Sequence, residues 1–208
     1  PFRYCNKERA ANQVLSKKKK NAAREFATKS FVLLKNNQQA LPLKKTGTIA
    51  LVGPLANNKA NMLGTWAVSG NRDLSIPVFD GMKNLGIKEV NILYAKGANI
   101  SDDTIFAKKV NVFGTRIDID NRSAQEMMDE AIAVAKQSDV IVAVVGEASE
   151  MSGESSSRST LNIPKSQQKL LQELKKIGKP LVLVIMSGRP LDLNWEMENA
   201  DALLFVYH

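Results

Sequence analysis

The sequence predicts an α/β fold: a three-layer sandwich in which a mostly parallel sheet of five to six strands carries helices on both faces. Three observations lead there. Five short apolar runs, near 48–52, 90–95, 139–145, 181–186 and 202–207, are separated by stretches of helical periodicity. The runs are nearly continuous Val, Ile, Leu and Ala, the pattern of strands buried on both faces and not of strands with one wet face. Strand and helix also alternate along the chain, and alternation of this kind builds a parallel sheet because each parallel pairing needs a long crossover.

Each element has a local reason. Lys17 to Asn37 reads as a helix, since Ala22, Phe26, Phe31, Leu33 and Leu34 fall largely on one face with Lys and Asn opposite. Thr48 to Val52 runs into Gly53-Pro54, a buried strand closed by a turn. Pro77 to Leu85 fits a helix and Val90 to Ala95 a second strand. After Gly97 the pattern is irregular until Ser123, which is placed to cap a helix running to Gln137, with Gln125 and Glu126 in its first turn. Asp139 to Val145 is the third strand. Pro164 to Lys176 forms another helix, because Pro suits a first turn, Leu170, Leu171 and Leu174 recur at helical spacing, and Gly178 can close it. Leu181 to Met186 and Ala202 to Tyr207 complete the strands. Trp195 follows Arg189-Pro190 in a short helix, where packing is its expected role.

Composition narrows the function. The chain has 208 residues, 44% hydrophobic and 24% charged, the make-up of an ordinary globular domain. No run approaches the roughly 18 apolar residues that a membrane span needs. The start, Pro1-Phe2-Arg3-Tyr4, has no charged region followed by an apolar one, and the last residues lie within an apolar strand, so the sequence reads as a piece of something longer. The net charge of +8 resides largely in Lys17 to Lys20 and in scattered lysines with few aromatics beside them, which favours a solvated surface over a nucleic-acid face. Cys5 stands alone and His208 is the single histidine, so neither a disulfide, a thiol nucleophile nor a metal cluster is expected. Nor is a nucleotide cofactor: the turn Gly53-Pro54-Leu55-Ala56-Asn57 lacks the second and third glycines of a dinucleotide fingerprint, and no phosphate-binding loop motif occurs.

Chemistry concentrates in residues 139–158, DVIVAVVGEASEMSGESSSR, where an apolar strand enters a polar loop with Glu147, Glu150 and Glu154 and ends at Arg158. In open α/β sheets ligands bind beyond the carboxyl ends of the strands. The serines of this loop have no histidine partner for nucleophilic catalysis. Trp66, in a Gly-flanked polar loop, offers a flat apolar face of the kind that packs on the C–H side of a sugar ring.

Ser152-Gly153-Glu154-Ser155-Ser156-Ser157-Arg158 resembles the acid/base loop of family 3 glycoside hydrolases. Ala23 to Leu43, Thr48 to Leu55, Leu63-Gly64-Thr65-Trp66, Lys179 to Pro190 and Asp201 to His208 are similar to further segments of that family's second domain, in order, with the bacterial periplasmic β-glucosidase branch most alike. The three serines after Glu154 depart from members that carry a Gly and an aromatic there. The resemblance implies residues 1–20 as an entry segment from a missing N-terminal barrel domain and 21–208 as the second domain, truncated at its C-terminus. It implies a retaining, exo-acting β-glucosidase, periplasmic or secreted and free of cofactors, acting on a β-glucoside or oligosaccharide. Glu154 would be its general acid/base and Trp66 would line the leaving-group subsite, the other reading of Trp66 being a core residue over the end of the first strand; Arg158 is a candidate substrate contact that could equally hold the loop through a carboxylate or stand exposed; the nucleophilic aspartate would lie in the barrel, leaving this piece alone inactive. A non-catalytic sugar- or nucleotide-binding module is the alternative.

Overall fold

The computed structural model describes residues 4, 6–67, 69–111, 116–154 and 156–207; Cys5, Ser155 and His208 lie outside them. The chain divides into two compact units, Pro1–Phe31 and Val32–His208. The first holds helices α1 (Lys7–Gln13) and α2 (Lys17–Ser30). The helix expected to reach Asn37 therefore stops at Ser30, and Val32–Asn36 forms strand β1 instead. Its residues pair antiparallel with Ala202–Phe205, far along the chain. A short apolar stretch fits either period, and that distant pairing settles it.

The second unit continues with β2 (Gly47–Val52), α3 (Val78–Asn84), β3 (Val90–Ala95), α4 (Thr104–Val110), α5 (Ala124–Lys136), β4 (Val140–Gly146), α6 (Lys165–Lys175), β5 (Leu181–Ser187), α7 (Asn194–Asn199) and β6 (Ala202–Tyr207). Helix α4 sits in the stretch whose sequence is irregular; Asp103 caps it by accepting the Phe106 N–H at 2.8 Å. The cap expected at Ser123 is a full capping box: Ser123 Oγ accepts from the Glu126 N–H, and Glu126 Oε2 accepts from the Ser123 N–H at 2.7 Å.

The six strands form one sheet in the order β1-β6-β5-β4-β2-β3, parallel except for β1. Because successive residues of a strand face opposite sides, each apolar run fills two cores. Ile141, Ala143, Val145, Leu183 and Ile185 pack with Ala131 and Ala135 of α5 and with Leu170, Leu171 and Leu174 of α6. Ile49, Leu51, Val142, Val144 and Val182 pack on the other side, with Phe79 and Met82 of α3 and Ala107 of α4. The result is the three-layer arrangement that the continuous apolar runs require. Trp195 of α7 is half-buried against the first of these cores.

The strand order creates the site. From β2 the chain goes to β3 on one side and then returns to place β4 on the other. The loops leaving the C-terminal ends of β2 and β4 emerge side by side at this reversal, the place where ligands bind in open α/β sheets.

Candidate active site at the strand ends

Two loops meet at this end of the sheet: the one following β2, which carries Trp66, and the one following β4, which carries the three glutamates. They are cross-linked at several points. Buried Asn61 accepts the Ser149 N–H at 2.8 Å and donates to the Arg116 carbonyl at 2.8 Å. Thr65 Oγ1 donates to Glu150 Oε2 at 3.3 Å. Gly153, with φ +104°, lies against Thr65 so closely that a Cβ there would stand 2.5 Å from Thr65 Cγ2. Trp66 and Glu154 are thus the immediate chain neighbours of two residues in contact, at the same end of the sheet.

The three glutamates occupy different environments. Glu147 is fully buried, its side chain 0% exposed, and its carboxylate accepts four hydrogen bonds. Oε1 takes N–H groups from Arg158 and, at 2.9 Å, from Arg189; Oε2 takes Arg189 Nε and Ser187 Oγ, both at 3.0 Å. About four lone-pair sites is the capacity of a carboxylate, so no site is left for a substrate. Glu150 is 20% exposed and lies 3.4 Å from Arg116 Nε as well as beside Thr65. Burial pushes the Arg116 guanidinium below its ordinary value; the nearby Arg72 charge acts in the same direction and Glu150 opposes both. Glu154 is exposed and makes no side-chain hydrogen bond among the described residues. Trp66 is 68% exposed.

Arg158 closes the loop on Glu147 and also donates to the Asn162 carbonyl at 3.1 Å. Its outer edge joins the wall of a cavity of about 470 Å³ shared with Asp102, Phe106, Met151 and Lys165. At the entrance of the loop Gly146 takes φ +138°, and a Cβ there would collide with the Met186 carbonyl of β5. Fully buried Gln167 of α6 secures the same spot, accepting the Gly146 N–H and donating to its carbonyl, each at 2.8 Å.

The sequence reading singled out Glu147, Glu150, Glu154 and Arg158 but missed Arg189 and Ser187. A signal existed: Gly146-Glu147 and Ser187-Gly188-Arg189 end neighbouring apolar runs, and in-register parallel pairing of Gly146 with Met186 brings them side by side. Among the described residues no group of three or more His, Cys, Asp or Glu is gathered to hold a metal ion. Among the described residues no helix is long and apolar enough to cross a membrane.

Residues 31–208 match the family model of the glycosyl hydrolase family 3 C-terminal domain. The chain is 50% identical over 182 residues to a periplasmic beta-glucosidase of Salmonella typhimurium, covering 88% of this chain and 24% of that protein. It is 34% identical to a beta-xylosidase of Formosa agariphila, covering 89% of this chain and 24% of the relative. Among solved structures it is similar to a beta-glucosidase from Listeria innocua, with a TM-score of 0.77 at 29% identity over 97% of this chain and 24% of that one. The chain therefore spans about a quarter of the length of the curated relatives it matches.

Proposed function

We infer the function of this chain from its family, for it belongs to glycosyl hydrolase family 3 and carries that family's C-terminal domain. In this reading residues 21–208 are the second domain of a retaining, exo-acting β-glucosidase and residues 1–20 lead in from a barrel domain that supplies the nucleophilic aspartate. Glu154 is the general acid/base. Its carboxyl donates a proton to the glycosidic oxygen as the aspartate attacks the anomeric carbon, and the C–O bond breaks with its electron pair leaving on that oxygen. The resulting Glu154 carboxylate then takes a proton from water, whose oxygen attacks the same carbon and releases the aspartate. Trp66 is the platform for the leaving sugar. Arg158 contacts an extended leaving group from the wall of the neighbouring cavity. The substrate is a β-glucoside or β-linked oligosaccharide, and the enzyme works outside the cytoplasm, in the periplasm or secreted, a reading supported by its similarity to the periplasmic beta-glucosidase of Salmonella typhimurium.

One observation supports this reading above others. Of three glutamates on the loop, two are committed to arginines, and the third is exposed, without a side-chain hydrogen bond among the described residues, and next to the contact that joins its loop to the tryptophan loop. A proton-transfer group must reach substrate, and of the three Glu154 is the most exposed.

The test is Glu154→Gln in the full-length enzyme. Glycosyl transfer to the enzyme should slow about 100-fold or more for alkyl and sugar leaving groups and far less for dinitrophenyl, which departs without a proton. Water attack should slow for every substrate and azide should restore it, because an anion needs no base. Equal losses for all leaving groups, without azide rescue, would make Glu154 a binding residue. The chain alone should not hydrolyse an aryl β-glucoside.

A further inference from the structure

We propose that Glu147 and Arg189 are positioning residues for Glu154: the buried ion cluster they form with Arg158 ties the two ends of the glutamate loop together and so sets where the proton donor stands. The proposal rests on the acid/base reading of Glu154 and deepens it.

A loop that carries a proton donor must hold it closely, since a misplacement of about 1 Å can cost roughly 100-fold in rate. Glu154 makes no side-chain hydrogen bond of its own among the described residues, so its position depends on the base of the loop. That base is unusually well tied. Glu147, where the loop leaves β4, and Arg158, where it ends, form an ion pair that closes the loop on itself. Arg189 arrives from the end of the adjacent strand β5 and makes three directed bonds: to both oxygens of Glu147 and, at 2.8 Å, to the Met151 carbonyl inside the loop. Its own backbone N–H donates to Ser187 Oγ at 3.2 Å, and that hydroxyl donates to Glu147. Farther up, Ser156 Oγ donates to the Glu150 carbonyl at 2.8 Å, carrying the tie past Glu154 on its far side.

Stability alone explains this cluster poorly. Buried ion pairs contribute little net stability compared with well-packed apolar residues of the same volume, because both partners lose water. Direction is what the cluster provides: a guanidinium fork reaches two carboxylate oxygens and a carbonyl at fixed angles, and a lysine ammonium cannot.

Arg189→Lys in the full-length enzyme tests the idea, because it keeps the charge and size and loses the fork. Its kcat/KM should fall about 10- to 100-fold for alkyl and sugar leaving groups and less than about threefold for dinitrophenyl, with the KM for the dinitrophenyl substrate little changed. Glu147→Gln should show the same selectivity; should it not fold, the lysine variant decides. Glu154→Gln is measured alongside. Selectivity in Glu154→Gln with none in Arg189→Lys, even if the lysine variant melts earlier, overturns the positioning role and leaves a structural cluster. Absence of selectivity in Glu154→Gln itself defeats the acid/base reading, and the proposal falls with it.

Discussion

The base and the tip of the loop after β4 are built on opposite principles. At the base, Glu147 is sealed from water and saturated with arginine and serine donors. At the tip, seven positions on, Glu154 is exposed and has no side-chain partner among the described residues. The same side chain serves as an anchor in one place and stands exposed in the other, and the difference lies in the donors that the end of β5 and Arg158 bring to the first. A third glutamate makes the contrast sharper. Glu196 of α7 is also buried, but among the described residues it has no ion pair and its Oε1 lacks a hydrogen-bond partner. Burial therefore does not define the anchor; the arginine donors do.

The largest expected effect is at the anchor. Glu147→Ala leaves two arginines at a buried site without their counter-ion and should lower unfolding free energy by about 3–5 kcal/mol, read from urea melts of the chain. A loss below about 1 kcal/mol would show that the arginines find other partners and that the base is not held as described. Next is Gly153→Ala, which puts a side chain at φ +104° and drives a Cβ into Thr65. A cost of about 1–3 kcal/mol is expected, and indole fluorescence should report displacement of the adjoining Trp66. Unchanged melting and fluorescence would mean that the two loops are not coupled through this contact.

A smaller, pH-dependent effect is expected at Glu196. Burial is the main influence raising its carboxyl above the usual 4.5, with Asp192 acting the same way and its own backbone N–H opposing. The folded state therefore holds this proton more tightly than the unfolded state, and stability associated with it is fully present below the unfolded value and lost as pH rises through the folded one. Glu196→Gln should consequently melt higher than the parent at pH 7, with the gap closing as pH falls below 4.5. A gap that widens toward acid would reverse the assignment. The smallest effect belongs to the tip: Glu154→Gln should change stability by no more than about 0.5 kcal/mol in the same melts. A loss comparable to that of Glu147→Ala would erase the distinction between base and tip.

Much of this molecule was legible in its residues. Strands buried on both faces must be apolar throughout, so the five parallel strands show directly as Val, Ile and Leu runs, and the Ser123 cap shows because its donors and acceptors lie three residues apart. The polar loop after β4 was equally visible, since a chain leaving a buried strand changes composition at once. What remained hidden depends on residues distant in sequence. Val32–Asn36 is a strand only because β6 is there to pair with it. Glu147 is an anchor because parallel register sets Ser187 and Arg189 beside it, donors that its own loop, apart from Arg158, does not supply. Local patterns record which segments must be buried; which of three similar glutamates is clamped and which is left free follows from how the strand ends are brought together, and that was decided by the tertiary structure.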